Sequence, residues 1–463
     1  MNQDPNDALA DAEVLILGAG PGGLTAAYQL LKQGVKVVLV EKDRETGGLM
    51  RAVKHGDFTV DFGYKHLYNR IPEVHALWSE LLGKDFLQYQ PRTGILYKGR
   101  ILERDRSFKG LRRGMPYRLL VSALIDWAKY SIRYRNRTIH SLEDYTYARR
   151  GAKFTRIFSQ EFEERFKGVL WSDLPAPPLM DKKRPWKRLM TDATKNLQKQ
   201  AQWFHPAKGT GQIVDRLTEE VQRMGGRILL NTKVKQLLCA TNVITEVTLE
   251  QEGRTLVCRP KTVVSSLTVE LVAPLMGIAF EAAPQELSFQ RGVVMVYLFL
   301  DHPPSFPHTS LHVTCPNTTM ARITNFGALG GEMVPPGKGC LCIEYFTSAA
   351  NFLMPKTDAD LVQYVLQECE KANLLRREHC VDSLIFKLPK ADPAASWEDY
   401  CNDPSRKALY DQLAEFTNFY QINRTGTDKS TFAGLMAAKA IVAGDKSLFE
   451  NATRPDVNAP WEG

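Results

Sequence analysis

The chain has 463 residues, of which 44% are hydrophobic and 24% are charged, and its formal net charge is +8. This length predicts two or three lobes rather than one small core, and the composition is that of an ordinary soluble globular protein. No apolar run approaches the roughly 20 residues that a membrane-spanning helix needs. The eight cysteines form no CxxC pair. This argues against a metal site or a disulfide framework and favours a reducing, cytoplasmic location.

The chain opens with a strand, a turn, a helix and a second strand. EVLILGAG is an apolar strand that enters a glycine turn, PGGLTAAYQLLKQG is a helix that ends at Gly34, and VKVVLVEK is the next buried strand. From about Pro72 to Gln200 the pattern is mostly helical, with one predicted hairpin that turns at Lys98 and Gly99.

A basic stretch from Arg104 to Arg137 surrounds the apolar run LLVSALIDWA, and a second basic stretch covers Asp181 to Arg188. The apolar run fits a peripheral membrane helix, but it also fits a core-facing helix with a solvated basic side. We favour the core-facing helix, because Asp126 inside the run argues against deep insertion. No nucleic-acid-binding motif accompanies the charge, so we expect no nucleic-acid partner.

The second half of the chain returns to alternating helix and strand. GTGQIVDRLTEEVQRMGGRILLNTKV is a helix followed by a strand, and strand patterns from about Arg291 to Tyr345 predict a second sheet. Two further helices are predicted, one with Thr357 as its N-cap and a last one that ends at Gly444. Since βα pieces lie at the start, middle and end, we predict a nucleotide-binding domain assembled from separate parts of the chain.

The motif GAGPGG, from Gly18 to Gly23, marks the nucleotide site. It follows a strand and opens a helix, so Gly18 permits the tight turn, Gly20 lets the backbone approach a pyrophosphate and Gly23 allows close packing. Glu41 ends the second strand, where a carboxylate can accept hydrogen bonds from ribose hydroxyls and would repel a 2′-phosphate. The pattern therefore predicts NAD or FAD rather than the phosphorylated nicotinamide.

A second glycine pair, Gly47 and Gly48, decides between the two cofactors. It follows Glu41 closely and leads into DFTVDFGYKH, which is typical of a short strand. A nicotinamide dehydrogenase needs neither feature, whereas FAD is longer and needs a second close backbone contact along this edge. We therefore predict FAD, held without a covalent bond.

From about Glu13 to Gly444, the sequence resembles the FAD-dependent family of protoporphyrinogen oxidases, flavin amine oxidases and UDP-galactopyranose mutases. DFGYKH resembles the family segment that contains a histidine, here His66, and TTMARITNF resembles the segment whose arginine holds a diphosphate in the mutases, here Arg322. CLCIEYF has Tyr345 at the usual aromatic position. The chain departs from the family pattern in QINRTG, where Asn423 stands in place of a glycine.

The resemblance implies an α/β fold with a discontinuous Rossmann-type FAD-binding domain of the GR2-like kind, a mixed β-sheet substrate domain and a helical insertion. The predicted bounds are a tail (1–12), FAD-binding parts (13–70, 203–268 and 401–450), a helical or substrate insertion (71–202), a substrate domain (269–400) and a second tail (451–463).

The resemblance also assigns candidate site residues. The cofactor-binding residues are Gly18, Gly20, Gly22, Gly23, Glu41, Lys42, Gly47, Gly48, Leu49, Val234, Ser265, Asp428 and Ser430. The catalytic candidates are His66, Arg322 and Tyr345, and no metal ligand is expected. A helix starting near Asp428 would stabilise the negative charge of a reduced flavin.

The predicted function is oxidation of a C–N, C–C or C–O bond of a small organic substrate, which Arg322 suggests is anionic, by hydride transfer to flavin N5. Two alternatives remain open, a mutase-like isomerase of a sugar nucleotide and a non-catalytic FAD-binding protein. The oligomeric state is also left open.

Overall fold

The protein is described by a computed structural model at residues 9–65, 67–103, 115–135, 137–176, 202–279, 290–393, 404–424 and 426–453. Within these residues the strands are β1 (Val14–Leu17), β2 (Val37–Val40), β3 (Ala52–His55), β4 (Phe58–Asp61), β5 (Leu67–Tyr68), β6 (Phe86–Tyr89), β7 (Thr93–Tyr97), β8 (Arg100–Glu103), β9 (Trp203–Pro206), β10 (Arg227–Leu229), β11 (Thr232–Ala240), β12 (Val243–Gln251), β13 (Arg254–Cys258), β14 (Thr262–Ser265), β15 (Gln290–Leu300), β16 (Ser310–Val313), β17 (Arg322–Asn325), β18 (Gly339–Phe346), β19 (Cys380–Pro393) and β20 (Phe419–Gln421). The helices are α1 (Pro21–Lys32), α2 (Pro72–Leu82), α3 (Tyr117–Arg133), α4 (Leu142–Arg150), α5 (Ala152–Thr155), α6 (Glu161–Lys167), α7 (Gly211–Arg223), α8 (Val269–Leu275), α9 (Thr347–Leu353), α10 (Asp358–Lys371), α11 (Pro404–Ala414), α12 (Thr427–Ala443) and α13 (Ser447–Thr453).

Several local predictions are confirmed. The β7–β8 hairpin turns at Lys98 and Gly99, which both have positive φ angles of 48° and 72°. The Thr357 side chain caps α10 by accepting a hydrogen bond from the backbone N–H of Asp360. Helix α12 ends at Gly444, which adopts the left-handed conformation that glycine tolerates best.

A five-stranded parallel sheet with the order β10-β2-β1-β14-β20 forms the nucleotide-binding half. Its strands come from the start, middle and end of the chain, which confirms the predicted discontinuous assembly. Helices α1, α7 and α12 pack on one face, while α8, α11 and the β11-β12-β13 sheet pack on the other. Because both faces are covered, β1 and β2 are continuous apolar runs and are buried throughout.

Two glycines bring α12 close to α1. A Cβ atom at Gly434 would lie 2.3 Å from the carbonyl oxygen of Gly22, and one at Gly22 would lie 2.8 Å from the carbonyl oxygen of Ser430. Real Cβ atoms do not approach this closely, so only glycine allows the two backbones to touch. The contact fixes the first turns of α12 beside the first turn of α1.

The second lobe is a seven-stranded sheet with the order β19-β15-β18-β17-β16-β7-β8. Its pairs are antiparallel except for β16 with β7. Helices α9 and α10 cover one face, and the other face packs against the segment that contains Val60, Phe62 and Tyr64. Strands β7 and β8 lie within the predicted insertion (71–202), yet they pair with the sheet of the second lobe.

Asp61, at the end of β4, joins the two lobes. Its carboxylate accepts hydrogen bonds from the backbone N–H of Thr210 at 2.8 Å and lies 3.2 Å from His205 Nε2, while its carbonyl oxygen accepts from the Tyr297 hydroxyl at 2.5 Å. His205 Nδ1 lies 2.9 Å from the carbonyl oxygen of Pro206, which can only accept, so Nδ1 carries a hydrogen. Nε2 of the same ring faces the Asp61 carboxylate. Both side chains of this pair are 1% exposed.

We expect Asp61→Ala to lower the free energy of unfolding by about 3 to 5 kcal/mol, because it leaves a buried histidine and a buried N–H without their acceptor. Urea unfolding of the FAD-free proteins measures the change. The control is Asp382→Ala, which removes the exposed His55–Asp382 pair, whose Nε2–Oδ2 distance is 2.8 Å. This exposed pair should cost less than about 1 kcal/mol. Equal losses in the two variants would contradict the assigned role of Asp61.

Candidate functional site

The first glycine turn, from Gly18 to Gly23, lets neighbouring atoms come unusually close to its backbone. Gly18 has a φ of +97°, and a Cβ atom there would lie 2.2 Å from Ser266 Oγ. A Cβ atom at Gly23 would lie 2.1 Å from the carbonyl oxygen of Gly18, so this glycine is required by helix–strand packing. Gly20 differs from both, because among the described residues no atom outside its two chain neighbours lies within 4 Å of the Cβ position there. The fold itself therefore does not require Gly20, and the space beside it is available to a ligand.

Glu41 lies directly beside this turn. It is 8% exposed, and its carboxylate accepts hydrogen bonds from the backbone N–H groups of Ala19 at 2.9 Å and Asp43 at 3.0 Å. Strand β11 begins next to it, since the N–H of Thr232 donates to the carbonyl oxygen of Glu41 at 2.8 Å. Val234 lies on this strand at an irregularity in the pairing with β12. Glu41, directly after β2, thus lies beside the first residue of β11, the strand that contains Val234.

The second glycine turn packs against the first. The N–H of Gly47 donates to the carbonyl oxygen of Ala19 at 2.8 Å, and a Cβ atom at Gly48 would lie 3.8 Å from the Cα atom of Gly20. Both Gly47 and Gly48 have positive φ angles, of 101° and 54°. Lys42 and Leu49, the other two predicted cofactor residues here, have exposed side chains.

The third side of the site is formed by the end of β14 and the start of α12. Ser265 is fully buried, and its hydroxyl oxygen accepts a hydrogen bond from the N–H of Leu267 at 3.3 Å. Asn423, which departs from the family pattern, donates from its side chain to the carbonyl oxygen of Ser266 at 3.0 Å. This contact ties β20 to β14 just before α12. Asp428 is half-buried in the first turn of α12 and accepts from the N–H of Lys429 at 2.9 Å.

These features fit a dinucleotide. The N-terminus of α1 offers backbone N–H groups and a positive dipole end beside the open space at Gly20, and α12 brings a second helix N-terminus to the same region. Glu41 supplies acceptor oxygens for hydroxyl groups. The predicted residues Gly18, Gly20, Gly22, Gly23, Glu41, Gly47, Gly48, Ser265, Asp428 and Ser430 therefore lie around the two helix N-termini and the open space at Gly20, and we name this region the glycine cleft.

The segment from Asp61 to Tyr68 leads from the glycine cleft to the seven-stranded sheet. Strand β5, which ends at Tyr68, contacts α12, and burial raises the pKa of Tyr68 to about 12. At the other end, the Tyr64 ring is buried, and its centroid lies 5.9 Å from the Arg322 guanidinium. The catalytic candidate His66 lies within this segment but outside the described residues.

Arg322 forms a two-pronged ion pair with Glu344 on the neighbouring strand. Its Nε atom lies 2.5 Å from Oε2 and its Nη2 atom lies 2.6 Å from Oε1. The Glu344 side chain is 2% exposed and the Arg322 side chain is 16% exposed. Burial alone would lower the pKa of Arg322, but the Glu344 carboxylate raises it above its usual value. The rings of Phe166 and Phe346, both 5.6 Å away, flank the guanidinium.

The catalytic candidate Tyr345 does not lie beside Arg322 in the structure. Its side chain is fully buried on the face of β18 that is opposite to Glu344, where its hydroxyl donates to Glu368 of α10 at 2.8 Å. Successive residues of a strand point to opposite faces, so Tyr345 cannot line the same pocket as Arg322. The catalytic role of Tyr345 stays a prediction.

Glu344 was missed by the sequence analysis. The signal was present, because it is the one charged residue in the otherwise apolar strand GCLCIEYF. A buried carboxylate requires a cationic or hydrogen-bonding partner, and Arg322 was already a candidate.

One group of side chains in the described part of the chain has the composition of a metal site. The ligand atoms of Asp301, His302 and His379 lie within 4.8 Å of one another. Both rings already contact the Asp301 carboxylate, with Nδ1–Oδ1 distances of 2.6 Å for His302 and 3.3 Å for His379. These hydrogen bonds account for the arrangement, and the absence of a metal ligand stays a prediction.

Comparison with known proteins agrees with this geometry. A family model described as flavin containing amine oxidoreductase matches residues 21–379, which is most of the chain. The chain belongs to this family. Membership of a flavin-containing family implies that the enzyme uses FAD.

Relatives of known name match over short stretches. All-trans-zeta-carotene desaturase of Myxococcus xanthus is 47% identical over 53 residues, which are 11% of this chain and 10% of the desaturase. Protoporphyrinogen oxidase 2 of Arabidopsis thaliana is 35% identical over 75 residues, which are 16% of this chain and 15% of that protein. The chain thus matches only a small part of the length of these relatives.

Solved structures match over nearly the whole chain. A reduced UDP-galactopyranose mutase superposes with a TM-score of 0.71 and 16% identity, over 95% of this chain and 98% of the mutase. A putative protoporphyrinogen oxidase from Exiguobacterium sp. 255-15 gives the same score and identity, over 94% of this chain and 100% of that one. At this level of identity the similarity establishes the fold, an α/β FAD-binding fold with a parallel sheet and a mixed sheet.

We expect Gly20→Val to abolish FAD binding without destabilising the FAD-free protein, because the valine side chain would fill the open space and Gly20 has an ordinary φ of −76°. Gly23→Val should instead lower the free energy of unfolding by about 1 to 3 kcal/mol, because it overpacks the helix–strand contact. Flavin absorbance of the purified variants and thermal unfolding of the FAD-free forms measure the two effects. If Gly20→Val keeps its flavin, the glycine cleft is not the pyrophosphate site.

Proposed function

We propose that this enzyme holds FAD without a covalent bond in the glycine cleft and oxidises a small organic substrate next to the Arg322–Glu344 pair. One observation carries the proposal. The segment after Asp61 has Tyr64 beside the buried ion pair on the seven-stranded sheet, and its strand β5 contacts α12, which borders the cleft. The flavin, when bound, supplies the hydride acceptor, so the protein needs no nucleophile or metal for the redox step.

Three parts of the glycine cleft would hold the cofactor. The N–H groups at the start of α1 would bind the pyrophosphate, and Glu41 would accept hydrogen bonds from ribose hydroxyls. The N-terminus of α12 would stabilise negative charge at the pyrimidine end of the flavin. Non-covalent binding is supported by the sequence, because neither glycine turn nor the first turn of α12 contains a cysteine.

The region proposed to bind the substrate, around the Arg322–Glu344 pair, has almost no net charge and is lined by aromatic rings. Glu344 engages Nε and Nη2 of Arg322, so among the described residues Nη1 is the nitrogen left to donate to a substrate. Tyr64, Phe166 and Phe346 surround the guanidinium with apolar surface. This arrangement suits a substrate that has one carboxylate or carbonyl oxygen and an otherwise apolar body.

The same ion pair argues against the isomerase alternative. A sugar nucleotide brings a diphosphate, which needs several cations whose charge is not already compensated, whereas Glu344 compensates Arg322. The similarity to the reduced mutase concerns the fold alone. The relatives include a desaturase, a protoporphyrinogen oxidase and a probable flavin-containing monoamine oxidase A from Dictyostelium discoideum, and these names support an oxidation.

We expect Arg322→Lys to retain FAD but to lose about 2 to 4 kcal/mol of transition-state stabilisation, because lysine cannot reproduce the planar guanidinium that contacts both Glu344 and the substrate. Anaerobic mixing with candidate amines and carboxylic acids, followed by loss of flavin absorbance, identifies the substrate and gives the rates.

The control is Arg92→Lys, which alters the exposed Arg92–Glu103 pair of the same sheet, where Nη2 and Oε1 are 2.5 Å apart. It should leave the rates unchanged. If Arg322→Lys turns over the substrate like the parent, Arg322 is structural and the proposed substrate position is wrong. If only UDP-sugars react, and only after the flavin has been reduced, the enzyme is an isomerase.

A further inference from the structure

Helix α3 leaves most of its apolar side chains in solvent. Of its 17 residues, only Ala123 is buried. Tyr117 is 79% exposed, Leu124 52%, Ile125 66% and Ile132 76%. A core-facing helix, which the sequence analysis favoured, would bury such residues, so that interpretation was wrong.

The exposed apolar residues form one stripe. Tyr117, Leu124, Ile125, Ala128 and Ile132 follow the spacing of residues that share one face of an α-helix. Arg118, Lys129 and Arg133 are also exposed, and the same spacing places them along one border of the stripe. The helix therefore presents an apolar face with a row of cations at its edge.

Asp126 does not interrupt this face. Its carboxylate points toward the protein and accepts a hydrogen bond from the N–H of Lys153, at the start of α5, at 2.7 Å. Trp127 is held nearby, because its indole N–H donates to the carbonyl oxygen of Arg149 at 3.1 Å. The polar residue that seemed to oppose membrane contact in the sequence is thus one of the groups that fix the helix to the protein with its apolar stripe outward.

We propose that the exposed stripe of α3 lies on an anionic lipid surface. A row of cations beside an apolar stripe is complementary to such a surface, because the apolar side chains enter the boundary below the headgroups while the arginine and lysine side chains extend to the phosphates. A helix of this length is about 25 Å long, which is enough to lie along the surface as an anchor. None of the described helices is long and apolar enough to cross a membrane.

This contact is independent of the proposed reaction, since α3 contributes no residue to the glycine cleft or to the Arg322–Glu344 pair. The proposed contact of α3 would hold the protein at a membrane surface whatever its substrate is.

Sedimentation of the full-length protein with vesicles tests the proposal. The protein should bind vesicles of phosphatidylcholine mixed with phosphatidylglycerol, and it should bind phosphatidylcholine alone far more weakly. The double variant Ile125→Glu and Ile132→Glu should bind the mixed vesicles at least about tenfold more weakly. Arg118→Gln, Lys129→Gln and Arg133→Gln should each weaken binding about fivefold, and added salt should weaken binding by the parent.

The matched control is the double variant Leu271→Glu and Val381→Glu, which alters side chains that are 59% and 60% exposed elsewhere on the surface. It should bind like the parent. Absence of binding to the mixed vesicles, or an equal loss in the control, would overturn the proposal. Loss of a soluble dimer in the α3 variant, without vesicle binding by the parent, would show instead that a second copy covers the stripe.

Discussion

The buried hydrogen bonds of Asp61 hold the two lobes of this enzyme in one arrangement. The carboxylate contacts the backbone at the start of α7 and the ring of His205 on β9, and the carbonyl oxygen contacts Tyr297 on β15. The Tyr297 hydroxyl in turn accepts from the N–H of Gly63 at 2.9 Å. A buried polar group is costly unless each partner is in place, so this network tolerates little relative movement of the lobes.

Under the proposed function, this constraint fixes where the substrate would meet the flavin. After Asp61, Tyr64 lies near the ion pair, and strand β5, which contains Tyr68, contacts α12. The pair of Arg322 and Glu344 loses much of its hydration in this aromatic setting, and desolvation offsets most of the attraction between such charges. The ion pair therefore orients the Arg322 guanidinium and adds little to the stability of the fold. Glu344 holds the guanidinium in a single plane, so that its remaining edge has a defined direction.

The nucleotide-binding half could be predicted from the sequence because its signals are local. The glycine turns, the apolar strands and the carboxylate at Glu41 each lie within a short stretch. The second lobe could not be predicted to the same depth. Every residue of β18 is buried, so the strand has no alternation of apolar and polar residues to reveal that Glu344 and Tyr345 face different sides. For α3, the sequence contains the amphipathic pattern, but which side meets the protein depends on Asp126 and its distant partner Lys153.

The discontinuous sheet has a consequence for how the protein is made. Strand β14 lies between β1, near the start of the chain, and β20, near its end, and α12 packs on α1 through Gly434 and Gly22. During synthesis, β1, α1 and β2 are therefore made first, but their sheet is complete only after β14 and β20 have been added. Until then the apolar surfaces of β1 and α1 lack their final partners. If the cofactor binds in the proposed site, its capture is a late event in biogenesis, because a nascent chain that stops before β20 lacks part of that site.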